Sequence, residues 1–251
     1  MLWHDSVATV TSLSDGAVTQ FAVLDALLAG VYASGMTVRD ALGHGDLGIG
    51  CCDRLGGEVV IVDGEAFECT VDGPPSPMTD AAILPFVDVA AFPVTDSAEV
   101  RDLDLEGVTA AVEGRLLSRN LFHAVRLDGV MATARIRATP RQQHPFPPLD
   151  KVTSEQVETV LARRAGTLVG YWAPTIYQGI AVAGLHLHFL ADDRLAGGHV
   201  LDLTVERGHL RLVAYARFDL HLPVDDLFLR TELTHDRDHR IVAVEGGVDA
   251  R

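Results

Sequence analysis

Residues 184–203 read GLHLHFLADDRLAGGHVLDL and are the most informative stretch of the chain. Apolar and polar residues alternate over 184–189, which is the period of a β-strand with one buried face. Residues 192–198 are rich in Asp and Gly and predict a turn, and the apolar residues that follow predict a second strand. The stretch therefore predicts two adjacent strands joined by a short connection.

Three histidines of this stretch are predicted to point toward one place. His186 and His188 are two residues apart, so a strand projects them from the same face, and His199 reaches that face from the next strand. Three neutral imidazoles around one point suit Zn²⁺ and leave a fourth position for water or substrate. The alternative is a set of ordinary histidines on a solvated sheet face, but this spacing favours a metal site.

Outward from this stretch, the chain shows many short strand patterns and few helical ones. Strand patterns occur at 58–62, 107–113, 121–127, 131–138, 167–172, 180–190, 199–204 and 209–219. Helical patterns occur at 18–28, 38–42 and 154–164. This mixture predicts an α+β fold built on mixed or antiparallel β-sheets with few helices.

The length and apolar content of the chain predict one large core. With 251 residues, of which 48% are hydrophobic, we expect a single domain over residues 1–251. A short internal similarity suggests two pseudo-repeated halves, about 1–115 and 116–251, around one metal site. DRLGGEV at 53–59 aligns with DRLAGGHV at 193–200 when one alanine is skipped, which places Glu58 on the position of His199.

The acidity of the chain disfavours two classes of partner. Its formal net charge is −15 and its pI is about 5.0, so nucleic-acid phosphates and anionic lipid headgroups are repelled. No stretch approaches 18 apolar residues, and the start MLWHDSV lacks the pattern of a signal peptide. With three cysteines and no disulfide framework, we expect a cytoplasmic protein.

The basic residues narrow the chemistry further. Lys151 is the single lysine among 20 basic residues, and its surroundings, LDKVTSEQ, are those of a polar helix start. Imine chemistry and pyridoxal-phosphate chemistry need a desolvated lysine. Covalent catalysis by a lysine is therefore disfavoured.

Other charged residues next to apolar runs are candidates for a site around the metal. Arg137 and Arg135 lie on one predicted strand, ARIRATP, and share a face, so their spacing cannot choose between them. Glu58 begins an apolar strand, and Glu245 follows one, IVAVE. The alternative for each of these four residues is a solvated charge at a strand end.

Four segments together resemble the alpha-acetolactate decarboxylase family. They are HGDLGIGCCDRLGGEVVIVDGEAFE at 44–68, NLFHAVRLDG at 120–129, QQHPFPPL at 142–149 and QGIAVAGLHLHFLADDRLAGGHVLD at 178–202. The resemblance runs in order from about Val18 to Gly247, nearly the whole chain, and it is specific because several separate motifs agree. It implies a zinc enzyme, and a homodimer as the default assembly.

The resemblance also implies roles for individual residues. The three histidine ligands of the family match His186, His188 and His199. Its site arginine matches Arg137, in the context R-x-x-P, and its first site glutamate matches Glu58 in GGE.

Two further positions follow from the resemblance. The second site glutamate of the family matches Glu245 in VEGG, a shorter motif. The family commonly has Thr-Phe where this chain has Cys51-Cys52, and that threonine lies near the site. The resemblance therefore places Cys51 in the substrate pocket, where it bears on the substrate range.

The activity implied by the resemblance is decarboxylation of (S)-2-acetolactate, a 2-hydroxy-3-oxo acid, to (R)-acetoin and carbon dioxide. In this hypothesis zinc stabilises the enediolate that the loss of carbon dioxide creates, and a glutamate protonates it. Arg137 holds the carboxylate or the developing oxyanion, Glu58 donates the proton, and Glu245 orients the hydroxyl or acts as its base. The two glutamates can exchange these roles.

Two other functions remain open on the residues alone. Three histidines also serve in metal hydratases and in cupin-like dioxygenases, which act on other small molecules. A zinc-stabilised binding module is the alternative without catalysis, and it predicts a closed site with a fourth protein ligand.

Overall fold

Two β-sheets form most of the fold. The structure is a computed structural model that describes residues 13–233. Over that range the chain forms fifteen strands: β1 Leu13–Ser14, β2 Val18–Phe21, β3 Met36–Thr37, β4 Leu47–Cys51, β5 Glu58–Val62, β6 Glu65–Cys69, β7 Ser76–Pro77, β8 Ile83–Leu84, β9 Phe86–Ala90, β10 Asp96–Asp104, β11 Phe122–Ala138, β12 Val157–Ala173, β13 Gly184–Ala191, β14 Gly197–Tyr215 and β15 Phe218–His221. Five α-helices are short: α1 Leu24–Leu28, α2 Val38–Leu42, α3 Leu105–Glu113, α4 Leu149–Thr153 and α5 Asp226–Arg230.

The strands divide between a six-stranded sheet and a seven-stranded sheet. The six-stranded sheet has the order β1-β14-β11-β12-β13, and β10 also pairs with β14. The seven-stranded sheet has the order β15-β2-β9-β4-β5-β6-β7, and β3 pairs with β8 apart from both. The strand pairs β1–β14 and β15–β2 are parallel, and the other strand pairs are antiparallel. The prediction of an α+β fold with mixed and antiparallel sheets and few helices is confirmed.

The main core lies where the two sheets face each other. The seven-stranded sheet contributes Leu47, Ile49 and Val60, and the six-stranded sheet contributes Val169 and Val213; all five side chains are buried. Fully burying one such side chain stabilises the fold by roughly 1.5–3 kcal/mol. A second core forms where α3 covers the six-stranded sheet. The pocket described below opens beside the first core.

Two long strands replace several short predicted ones. The patterns at 121–127 and 131–138 belong to one strand, β11, and those at 199–204 and 209–219 belong mostly to β14. A register shift near Met131 breaks the alternation of β11, which made one strand resemble two.

The helix predicted at 18–28 is wrong in its first half. Val18–Phe21 is β2, the second strand of the seven-stranded sheet, and it pairs with β15 at the edge and with β9 on its other side. Ala22 follows with a φ of 66° and ends the strand, so the helix is limited to Leu24–Leu28. Four residues satisfy the helical and the strand period equally well, and pairing with β9 decides the outcome. By contrast, α2 and β5 have the predicted bounds.

In two further segments, helix and strand are the reverse of what the sequence predicted. The helix predicted at 154–164 is wrong, because α4 ends at Thr153 and β12 begins at Val157. Here pairing with β11 over the whole length of β12 overrides a local helical pattern. The strand predicted at 107–113 is helix α3, which begins where the Asp104 carboxylate accepts the backbone N–H of Gly107 at 2.8 Å.

The sheets partly follow the two proposed halves. The long strands of the six-stranded sheet, β11–β14, come from 116–251, while β4–β7 and β9 of the other sheet come from 1–115. The single domain over 1–251 and the duplication stay predictions. Within residues 13–233, no helix is long and apolar enough to cross a membrane. Cys51, Cys52 and Cys69 are buried and form no disulfide.

Candidate active site

Strands β13 and β14 bring the three predicted histidines together. His188 and His199 are direct partners across the two strands, and His186 lies two residues before His188 on the same face. One ring nitrogen from each histidine lies within 4.8 Å of the others. Gly198 precedes His199 with a φ of 155°, and a side chain there would collide with the carbonyl of Arg137. The close approach of β11 to β14 at the site therefore requires this glycine.

Hydrogen bonds set the orientation of the rings. His188 Nδ1 lies 2.9 Å from the carbonyl oxygen of Val59, which can only accept, so Nδ1 carries the hydrogen and Nε2 is left with its lone pair. That Nε2 lies 3.6 Å from Glu58 Oε2. His186 Nε2 and His199 Nδ1 are 3.0 Å apart. A carbonyl that fixes the tautomer of a histidine is the usual outer support of a metal ligand.

The electrostatic environment keeps His186 neutral. Burial, and then the positive charge of Arg137, lower the pKa of His186 to about 3. Metals bind the neutral imidazole, and three such donors are the set that a catalytic zinc takes. The residues present therefore fit the metal that the resemblance implies.

Glu58 reaches the histidines from the opposite sheet. It is the first residue of β5, and its side chain is only 12% exposed. Gly57 precedes it with a φ of 126°, and a side chain at Gly57 would meet the carbonyl of Cys69 at 2.5 Å. This glycine lets the strand start close to β6, so Glu58 faces the pocket instead of solvent.

The structure separates the two arginines between which spacing could not choose. Arg137 is the cross-strand partner of His199 and is 5% exposed, and its Nη1 donates to Gln156 Oε1 at 3.0 Å. Arg135 is exposed and pairs with Glu158 at 3.0 Å. Pairing with β12 is continuous from Arg135 to Arg137, so both leave one face of β11, as expected, and they differ in burial.

A pocket joins these residues and holds about 530 Å³ of empty space out to its mouth. One side, the histidine wall, consists of His186, His188, His199, Arg137 and Glu58. The other side, the apolar wall, consists of Leu24, Leu27, Phe86, Leu149 and Val182. Cys51 lies in the pocket lining and packs in the same cluster as Leu24, Leu27, Phe86, Leu149 and Val182 of the apolar wall. Pockets of small-molecule enzymes have this size and mixed lining.

Two polar pocket contacts were not predicted. Gln156 holds Arg137, although its position fell within the helix predicted at 154–164. Thr139 lines the pocket, and its hydroxyl donates to the carbonyl of Leu55 at 2.6 Å. Thr139 lies within the R-x-x-P motif that begins at Arg137, so the sequence offered a hint of its place in the pocket. Gln156 belongs to no motif that would have indicated its contact with Arg137. Glu245 lies outside the described residues.

Comparison with known proteins agrees with this geometry. The sequence model of the family described as alpha-acetolactate decarboxylase matches residues 18–235. The chain belongs to the alpha-acetolactate decarboxylase family. The predictions of the family and of a carboxy-lyase are confirmed.

Relatives and solved structures extend the match over most of the chain. An alpha-acetolactate decarboxylase from Methanosarcina mazei is 34% identical over 240 residues, covering 95% of this chain and 83% of that protein. One from Methylococcus capsulatus is 34% identical, covering 92% and 89%. The crystal structure of alpha-acetolactate decarboxylase from Bacillus subtilis strain 168 superposes with a TM-score of 0.90 at 29% identity, covering 92% of this chain and all of that one.

Proposed function

We propose that this protein converts (S)-2-acetolactate to (R)-acetoin and carbon dioxide in the pocket between the histidine wall and the apolar wall, with zinc as its metal. The observation that supports this most strongly is the cluster of His186, His188 and His199 beside Glu58 and the buried Arg137, in a chain of this family.

His186, His188 and His199 hold the metal in this proposal. A bound divalent metal supplies positive charge that stabilises the electron pair left on the substrate when carbon dioxide departs. The pocket offers no lysine for an imine, because Lys151 is exposed on α4. The developing negative charge must therefore be stabilised by the metal that the three histidines hold and by the guanidinium of Arg137.

Arg137 binds the substrate carboxylate. Its guanidinium is buried and always charged, and a planar fork of N–H donors matches the two oxygens of a carboxylate. The hydrogen bond from Nη1 to Gln156 Oε1 holds the fork in one orientation. Binding the carboxylate beside the histidines orients the bond that breaks, while the apolar wall takes the alkyl groups of the substrate.

Glu58 delivers the proton that completes (R)-acetoin. Its carboxyl group lies at the edge of the histidine cluster and comes from the sheet opposite His199, so it reaches the substrate from a defined side. Delivery from one side gives one enantiomer. Glu245 is the second glutamate of the proposal and orients the substrate hydroxyl or serves as its base.

A coupled measurement tests the proposal. The purified protein is assayed for metal per chain and for release of acetoin from racemic acetolactate, with and without a chelator. We expect one zinc per chain, consumption of the (S) enantiomer, and loss of activity on chelation that added Zn²⁺ restores. Undiminished acetoin release by the metal-free protein would contradict it. Oxygen uptake with bound iron would instead indicate a cupin-like dioxygenase, and carbon dioxide hydration a hydratase.

Two further proposals concern the state of the protein in the cell. We propose a homodimer, which the family resemblance supports and which light scattering of the purified protein tests. We also propose a cytoplasmic location, supported by the three cysteine thiols, since oxidising compartments favour disulfides. Cell fractionation tests that location.

A further inference from the structure

Asp88 is a buried acid in the core between the two sheets. It lies in the middle of β9, is 6% exposed, and shares its face with Phe86, which lines the pocket, and with Ala90 of the main core. Its Oδ1 is fully buried and accepts no hydrogen bond from any residue between 13 and 233. A carboxylate in such a place costs several kcal/mol unless it is neutralised.

Gln20 lies directly opposite Asp88 on β2. The two residues are Cα partners across the antiparallel pair, so their side chains leave the sheet about 5 Å apart on one face. Gln20 is also fully buried, and its Nε2 donates to the carbonyls of Ala22 and Ile180, both at 2.7 Å. These two acceptors fix the amide, since its oxygen cannot occupy the place of Nε2.

The amide oxygen of Gln20, like Oδ1 of the Asp88 carboxylate, is a buried acceptor that receives no hydrogen bond from the described residues. Two buried acceptors that lack a donor therefore belong to directly opposite residues of neighbouring strands. A single proton on the carboxyl group would satisfy both, because a neutral carboxylic acid is a donor.

We propose that Asp88 is a neutral carboxylic acid that donates its proton to Gln20 Oε1, and that this pair positions the apolar wall of the pocket. Asp88 is a positioning residue here, since it acts through Gln20 and touches no substrate. The link to the pocket rests on the proposed function, whereas the protonation state does not.

The connection to the apolar wall runs through the two carbonyls that Gln20 binds. Ala22 has a φ of 66°, a conformation that L-residues adopt at a cost, and it leads directly into α1 with Leu24. Ile180 O also accepts the backbone N–H of Leu24 at 3.0 Å, and two residues later Val182 enters the pocket. Gln20 thus ties both segments of the apolar wall to the sheet.

The surroundings of Asp88 agree with a neutral acid. Burial raises its pKa to about 8. Its neighbours on the sheet are Gln20 on β2 and Ile49 on β4, which carry no charge. Across the core, burial is the main cause that raises the pKa of Tyr171 on β12, and the acidic groups Tyr215, Asp88 and Asp46 lie near it, so the titratable groups there are acids as well.

Infrared spectroscopy of the intact protein tests the protonation state. At pH 7 we expect a carbonyl stretching band of a buried, protonated carboxyl group, which disappears in Asp88→Asn and in the wild type well above pH 8. Absence of the band in the wild type at pH 7 would overturn the proposal without any variant. This measurement needs neither metal nor substrate, so it is independent of the proposed function.

Unfolding in urea gives a second, thermodynamic test. The unfolded acid releases its proton near pH 4 while the folded acid keeps it, so the wild type loses stability as the pH rises between these values. Unfolding releases one proton in this pH range, so the unfolding constant of the wild type should rise about tenfold per pH unit, or about 100-fold from pH 5 to pH 7. This rise is measured relative to Asp88→Asn, whose amide also donates to Gln20 but does not titrate. Parallel pH profiles for the two proteins would contradict a neutral Asp88.

The positioning role has its own readout. Above pH 8 the KM of the wild type should rise because the ionised acid repels Gln20 Oε1, while Asp88→Asn keeps its KM. Gln20→Met keeps the volume but cannot hold Ala22 and Ile180, and we expect it to raise KM more than it lowers kcat. A KM independent of pH in the wild type, together with an unchanged KM in Gln20→Met, would limit the pair to the core and refute the link to the pocket.

Discussion

The two walls of the pocket are held in different ways. In the histidine wall, every residue stands on a long or central strand, so its position is fixed by ladder hydrogen bonds to both neighbours or by a cross-strand partner such as His188 with His199. Apart from Phe86 on β9, the apolar wall comes from α1, α4 and a connecting segment, and the two helices have five residues each. A five-residue helix is not stable alone and depends on its contacts.

This difference suggests a division of labour. Groups that hold a metal or move a proton need positions accurate to a fraction of an ångström, which strands provide. A surface that only encloses alkyl groups can tolerate movement. We therefore expect substitutions in the histidine wall to affect metal and rate, and substitutions in the apolar wall to affect substrate range.

The largest effect is expected from His188→Ala. Removing one of three donors should abolish zinc binding and reduce the rate by more than the ~100-fold typical of losing a general acid. Zinc per chain and acetoin release measure this directly. His209→Ala, on β14 but away from the pocket, is the matched control and should retain both. Full zinc occupancy in His188→Ala would exclude that histidine as a ligand.

Glu58→Gln should separate metal binding from proton transfer within the histidine wall. The amide keeps the size of the side chain but cannot deliver a proton, so we expect zinc to remain and kcat to fall at least ~100-fold. Metal analysis and initial rates on the same sample distinguish the two effects. Near-normal turnover would remove Glu58 from the mechanism and leave Glu245 as the donor.

Arg137→Lys tests whether the histidine wall binds the carboxylate by a fork. Lysine keeps the charge but loses the paired donors, and a lost hydrogen bond to a charged group costs about 1.5–3 kcal/mol, so kcat/KM should fall at least tenfold. Arg135→Lys, two residues away and solvent-exposed, should be unchanged. Equal losses in both variants would mean that the buried position has no special role.

His123 tests the sheet that carries the histidine wall at low pH. It is buried, its Nδ1 faces the carbonyl of Leu121 at 3.0 Å, and its Nε2 accepts the backbone N–H of Leu117 at 3.0 Å. Burial lowers its pKa to about 4, whereas the unfolded histidine titrates near 6.5. Stability should fall as the pH drops from 6.5 to 4, by up to about 3 kcal/mol, and then level off.

Urea unfolding between pH 4 and pH 7 measures this dependence. In His123→Gln, which can donate and accept but does not titrate, the contribution should disappear. If both proteins lose the same stability over this range, acid sensitivity comes from another group.

The smallest effect is expected at the apolar wall. Cys51→Ala removes one sulfur atom from the pocket lining and should raise kcat/KM for an acid with a larger alkyl group about threefold or more relative to acetolactate, since fit in an apolar pocket discriminates modestly. Cys52→Ala is the control, because Cys52 packs in a different core cluster. An unchanged substrate preference in Cys51→Ala would mean that Cys51 does not limit substrate size.

Features that depend on residues close together in the sequence could be predicted, whereas features that depend on distant residues could not. The strand pair at 184–203 and its three histidines could be predicted, because alternation and a turn are local patterns. The helix predicted at 154–164 failed, because this segment pairs with residues of β11 that are nineteen or more positions away in sequence. The apolar wall could not be predicted, since Leu24, Leu149 and Val182 meet only in three dimensions.

The choice between the two arginines shows the same limit on a smaller scale. Alternation assigned Arg135 and Arg137 to one face, and their continuous pairing with β12 agrees with that assignment. The two residues differ in burial, which depends on what covers each position in three dimensions, so neither residue carries a signal of it. The resemblance to the family selected Arg137 where the local pattern could not.

Leu201 is the extra residue at a register shift between β14 and β11, since Asp202 and Val200 pair with consecutive residues of β11. Val200 and Leu203 therefore face one core although they are three positions apart, and His199 faces the pocket. Deleting Leu201 would restore simple alternation and turn His199 toward that core. Anyone transplanting this pocket to another sheet must therefore carry over the irregularity itself, together with the histidine that it aims.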